Sequence, residues 1–190
     1  MTNLAPVQWV PVTESWYNTN GRKYPVSTPI GPSMAPGFVR LAGVFYRAVE
    51  ARHRAFALEG SRGPGRYSSP AEPVLYLSAS PEGVEAAMTT HRQDGQPART
   101  LLSFEVRADR IFDLRNHHRC AAVGIDPAAA AASWREAVAR GGEPPSWSVA
   151  RRLKELGADG LIDPSRQAPG LWHLVLFRWN RPGAPQVTLI

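Results

Sequence analysis

The segment Leu171–Trp179, LWHLVLFRW, sets Trp172, Leu174 and Leu176 on one side of an extended chain and Val175, Phe177 and Trp179 on the other. A strand that is apolar on both faces belongs in the middle of a sheet, with neighbours on each edge. The rest of the chain must supply those neighbours. AGVFYRAV at 42–49 reads as one strand, VLYLS at 74–78 as a second and TLLSFEVR at 100–107 as a third. In the third, Leu102, Phe104 and Val106 alternate with Ser103, Glu105 and Arg107, so one face is wetter. GLID at 160–163 and QVTLI at 186–190 complete the set, and the last segment is placed to close the sheet.

Helices fall between these strands. Ser80 caps a helix with Pro81 at its first position, running to about Arg92 with Val84, Ala87, Met88 and His91 at helical spacing. Asp126-Pro127 repeats this start, and the Ala-rich run through SWREAVAR continues as helix until Gly141-Gly142. Ser146 opens another, whose Val149, Leu153 and Leu156 form an apolar stripe ended by Gly157. Strands and helices interleave without a regular βαβ rhythm, which gives a single mixed α+β domain. Length agrees, since 190 residues suit one domain with a sizeable core. Residues 1–38 carry six prolines and read as an arm that packs Trp9, Trp16 and Tyr17 on the domain or on a partner. The domain proper spans 39–190.

Composition narrows the function classes. There are 22 Lys+Arg against 16 Asp+Glu, a formal charge of +6, and only Lys23 and Lys154 are lysines. Such an arginine excess suits a phosphate-bearing ligand or nucleic acid, and it also arises from a GC-rich coding sequence. The sequence lacks basic runs with interleaved aromatics, which argues against direct nucleic-acid binding. The single Cys120 excludes an internal disulfide and a cysteine metal cluster, and reads as a structural thiol in a reducing compartment. No signal peptide and no membrane-length apolar run are present, so a soluble cytoplasmic protein is expected.

Several familiar chemistries are missing. There is no P-loop, no GxSxG and no paired-histidine metal signature, and GSRGPG at 60–65 does not open a helix after a strand. His117-His118 reads as solvated rather than metal-binding, so no metal is expected. Asp159 and Asp163 flank the strand GLI and read as turn and capping residues. Arg47 shares a strand face with Phe45 and Val49, so it either snorkels from an edge or points into a cleft. Arg66 in its glycine loop is the residue least easily explained by structure alone.

Taken in order, YRAV at 46–49, GxGRY at 63–67, VLYLSASPE at 74–82 and GLIDPSR at 160–166, followed by WHLVLF, resemble the RES-domain family. The resemblance covers roughly residues 42–179. It implies a bent, split mixed sheet with flanking helices, like the ADP-ribosyltransferases. It further implies NAD as substrate and cleavage of the nicotinamide–ribose bond by hydrolysis or phosphorolysis. Family members are typically toxins neutralised by a cognate antitoxin, and some ADP-ribosylate a protein. By motif, Arg47 and Arg66 are the family's two arginines, Tyr76 its strand tyrosine and Ser165 its Pro-Ser serine.

Two departures from the pattern matter. Tyr67 and Ser68 stand where the family has Trp-Asn, and a tyrosine can still stack on nicotinamide. The family's glutamate falls at Ala87. The nearest carboxylates are Glu85 and Glu82, of which Glu85 is the catalytic candidate, although it lies about 200° around a helix from Ala87. The expected site is therefore Arg47, Glu85 and Ser165 for catalysis, with Arg47, Arg66, Tyr67, Tyr76 and Ser165 binding NAD. Arginines would clamp the pyrophosphate, and a carboxylate would stabilise the oxocarbenium-like ribose. The rival expectation is a nucleotide- or partner-binding module on the same fold without turnover.

Overall fold

The computed structural model describes residues 37–89 and 98–190. The proline-rich arm up to residue 36, and His91 and Arg92 at the expected end of the first helix, lie outside the described residues.

Strand β1 spans Phe38–Glu50 and β3 spans Arg99–Asp113. They form a long antiparallel ladder from Phe38↔Phe112 to Glu50↔Arg99, with a register shift between Val39 and Leu41. Both strands run several residues beyond their alternating apolar segments, because each completes the other's backbone hydrogen bonds. Strand β2 (Leu75–Ser78) pairs antiparallel with β5 (Trp172–Leu176), and β5 pairs antiparallel with β4 (Gly160–Pro164). Strand β4 returns to β3 in parallel, Ile111↔Gly160 to Asp113↔Ile162. The second edge of β1 meets β2 through Tyr46↔Ser78. The mixed sheet is thus bent until β1, β2, β5, β4 and β3 close on themselves.

Strand β6 (Gln186–Leu189) pairs with Phe104–Arg107 of β3. It adds an outer edge, and closure is made by β1 instead of by this last strand. Strand β5 sits between β2 and β4, as its two apolar faces require.

Alternation along the strands divides the core in two. Phe45, Leu102, Phe104, Leu77, Ile162, Leu174 and Leu176 pack inside the closed sheet. On the other face Leu161 and Val175 pack with Phe112, Cys120, Ile125, Ala130, Val149 and Leu153. Each fully buried side chain of this size contributes about 1.5–3 kcal/mol. The helices packed on that outer face are α2 (His117–Ala122), α3 (Pro127–Ala131) and α5 (Pro145–Glu155), while the short α4 (Trp134–Ala139) buries no residue. Helix α1 (Pro81–Thr89) follows β2, and the Ser80 hydroxyl accepts from the Gly83 N–H at 3.2 Å, the expected cap.

The expected single helix from Pro127 to Arg140 is broken. Asp126 caps α3 by accepting from the Ala128 N–H, but Ala132 adopts φ −55° and ψ 154°, which ends that helix. A new helix starts at Trp134. The break leaves helix-terminal carbonyls that need donors from elsewhere, and Arg66 and Arg166 provide them. Ser146 also differs from expectation. Helix α5 starts at Pro145, and the buried Ser146 hydroxyl donates to the Arg66 carbonyl instead of capping. His117 and His118 are exposed in the first turn of α2.

Candidate functional site

Strand parity brings one set of polar side chains to the helix-covered face. Tyr76 pairs with Val175, which pairs with Leu161; two residues along, Ser78 pairs with His173, which pairs with Asp163. Side chains two apart share a face. Beyond the end of the helix packing, this face opens into a cavity of about 440 Å³. Strand β1 contributes Tyr46, Arg47 and Ala48; the loop after it contributes Gly63–Arg66 and Ser68; α1 contributes Val84, Ala87 and Met88. Trp134 and Arg135 enter from the start of α4, and Ser165, Arg166 and Gln167 from the turn after β4.

The loop carrying Arg66 is anchored on every side. The Tyr67 N–H donates to the Tyr76 hydroxyl at 2.9 Å, and Trp147 Nε1 of α5 donates to the Gly65 carbonyl at 2.8 Å. A Cβ at Gly65 would stand 2.8 Å from Ser68 Oγ and 2.9 Å from Tyr76 Oη, so only glycine allows this approach. Arg66 then donates from Nη1 to the Ala130 and Ala132 carbonyls, at 3.0 and 2.7 Å. The broken helix and the glycine loop are therefore one construction, with a guanidinium as the link.

Arg47 donates to the carbonyls of Ala57 and Gly60, which folds the chain after β1 back over it. Burial lowers the pKa of both arginines. Arg62 adds to this at Arg47, and Arg166 at Arg66. A guanidinium does not give up its proton in a protein. The downward direction instead means that two desolvated cations stand beside further cations, a field that favours an entering anion.

Among the described residues the carboxylate on the cavity is Asp163. Its Oδ1 accepts from Tyr67 Oη at 2.8 Å and from Arg166 Nη2 at 3.0 Å, and its Oδ2 accepts from Arg166 Nη1 at 3.2 Å. Arg166 Nη2 also donates to the Ala130 carbonyl at 2.9 Å. The residue is only 6% exposed. The turn and capping roles expected for the two aspartates are thus corrected. Asp163 is a buried ion-paired group, and Asp159, 2% exposed, is held between Arg110 and Arg178. A local pattern such as Asp-Pro reports the turn, but the partners arrive from distant elements.

Of the sequence candidates, Arg47, Arg66, Tyr76 and Ser165 come together on the cavity. Ser165 also serves its turn, accepting from the Ala168 N–H at 3.2 Å. Tyr67 does not offer a stacking face. It is 2% exposed, its ring lies in the outer core, and burial followed by Asp163 pushes its pKa well up. Glu85 is exposed and outside the cavity, because α1 turns Ala87 and Met88 inward and Glu85 lies on the far side. The sequence pattern does not single out Arg166, His173, Ser78 or Trp134, and it presents Asp163 only as a turn residue. The available signals were a carboxylate two residues from buried Leu161 and a histidine inside an otherwise apolar strand.

The RES domain profile matches residues 41–189. A chain from the crystal structure of the M. tuberculosis MbcT–MbcA toxin–antitoxin complex superposes with a TM-score of 0.53 at 17% identity, covering 81% of this chain and 87% of that one. No curated protein matches the sequence.

Proposed function

The chain belongs to the RES-domain family, and on that premise we propose that its cavity binds NAD and cleaves the nicotinamide–ribose bond. The observation that carries this reading is the placement of Arg47 and Arg66 on one cavity with the aromatic Tyr76 and the carboxylate of Asp163. Two desolvated guanidiniums suit a pyrophosphate through charge-assisted hydrogen bonds. Tyr76 and Trp134 offer aromatic faces to the bases. As the C–N bond breaks, the electron pair leaves with nicotinamide, which becomes neutral, and positive charge develops on the ribose. The Asp163 carboxylate, whose oxygens are held by Tyr67 and Arg166, would stabilise that charge electrostatically, and the Ser165 hydroxyl would hydrogen-bond the ribose. Water as acceptor gives ADP-ribose and a proton; phosphate gives ADP-ribose phosphorylated at the anomeric carbon.

The likeness to a chain of a toxin–antitoxin complex supports a wider reading: a toxin acting on cytoplasmic NAD, held inactive by a partner protein. Controlled expression tests it, with cellular NAD and growth followed together; a fall in NAD that precedes growth arrest is the expected result. A second reading is favoured by one observation: α1 turns no carboxylate to the cavity, only Val84, Ala87 and Met88. That reading is a nucleotide-binding module without turnover. It predicts NAD binding in a calorimetric titration with no nicotinamide released.

A further inference from the structure

We infer that His173 is the base that takes the proton from an acceptor water, with the Ser78 hydroxyl fixing its ring. This rests on the NAD-cleaving reading and adds to it the residue that activates the acceptor.

The geometry begins with one cross-strand row. Tyr46 of β1 pairs with Ser78 of β2, Ser78 with His173 of β5, and His173 with Asp163 of β4. All four line the cavity. His173 Nδ1 lies 3.0 Å from Ser78 Oγ, and Ser78 is 5% exposed. Among the described residues no partner engages Nε2, and it is not a buried unpaired atom. The role needs the tautomer in which Nδ1–H donates to Ser78, because Nε2 then carries the lone pair.

Among the described residues the other titratable groups on the cavity are less suited to be this base. The arginines on the cavity stay protonated. Burial raises the pKa of Tyr76, so it stays a phenol. Both oxygens of Asp163 are occupied by Arg166 and Tyr67. Helix α1 faces the cavity with apolar side chains only. Burial lowers the pKa of His173 below its ordinary 6.5; Asp163 on the neighbouring strand pulls it up and Arg166 pushes it down. The imidazole is therefore neutral, a base, near neutral pH.

The step balances. The water oxygen bonds to the anomeric carbon as the C–N bond breaks, the pair leaves on nicotinamide, and the water proton passes to Nε2 and then to solvent.

An anion such as azide attacks without losing a proton, which supplies the test. Nicotinamide release is measured across pH for the wild type, His173→Gln and Ser78→Ala, with and without azide, alongside NAD affinity and thermal unfolding. For His173→Gln the expectation is an about hundredfold fall in water, unchanged NAD affinity and recovery with azide. Ser78→Ala should move the acid limb with a smaller loss of rate. A merely structural role would lower both reactions equally. A wild-type rate and acid limb in His173→Gln, or azide failing to restore a variant that still binds NAD, overturns the inference alone. If His173→Gln does not fold, an unmoved acid limb in Ser78→Ala overturns it. No release by the wild type overturns the NAD-cleaving reading, and the inference falls with it.

Discussion

The Tyr67 hydroxyl donates to the Asp163 carboxylate at 2.8 Å, joining residues 96 positions apart in the chain. This bond ties the glycine loop to the end of β4. It also sets which carboxylate the cavity holds and makes Tyr67 a support for the site, not its surface.

Tyr67→Phe keeps the ring and removes the donor. Asp163 retains Arg166 but loses one bond to a charged acceptor, a loss of about 1.5–3 kcal/mol. Urea unfolding should show that decrease with an unchanged slope. An unchanged midpoint would mean that the bond contributes nothing.

Arg66→Ala removes the donor to Ala130 and Ala132 and one of the cavity's cations. NAD affinity should weaken roughly tenfold to a hundredfold, the scale of a charge-assisted bond. Arg66→Lys should recover little, because an ammonium cannot reproduce the fork. Isothermal titration of both variants decides it, and wild-type affinity in the alanine variant would remove Arg66 from the binding site.

Glu85→Ala should leave NAD turnover within about twofold of wild type, since surface changes away from a site are usually near neutral. Asp163→Asn should reduce it by at least tenfold, on the order of one lost charge interaction at the transition state. Ala87→Glu would turn a carboxylate into the cavity from α1, and its nicotinamide release should exceed that of the wild type. A strong loss in Glu85→Ala would contradict the placement of that side chain.

Protonation of His173 also links stability to pH. Its folded pKa is lowered, so the unfolded chain binds the proton more tightly. The associated stability is fully present above the unfolded value of about 6.5 and is lost as pH falls through the folded value. His173→Gln should therefore lose less stability than wild type between about pH 7 and pH 5. Parallel acid profiles for the two proteins would contradict the burial of a neutral imidazole.

Much of this architecture could be read from short segments. The two apolar faces of Trp172–Leu176 located the central strand, and Ser80-Pro81 located α1, because alternation and capping are local effects. Motif order picks out Arg47, Arg66, Tyr76 and Ser165, and all four line one cavity. The break at Ala132 was hidden, since the Ala-rich run favours helix at every position while Arg66 and Arg166 stabilise the interruption from elsewhere in the chain. Asp163 reads as a turn residue for the same reason: its partners are Tyr67 and Arg166, and only strand pairing places His173 beside it.

Purified full-length protein incubated with NAD, with and without phosphate, should release nicotinamide in step with NAD loss, and Arg47→Ala should abolish both. Formation of ADP-ribose or of its anomeric phosphate would then identify the acceptor. NAD that binds but yields no nicotinamide under either condition would contradict the account and leave a binding module on a RES-domain fold.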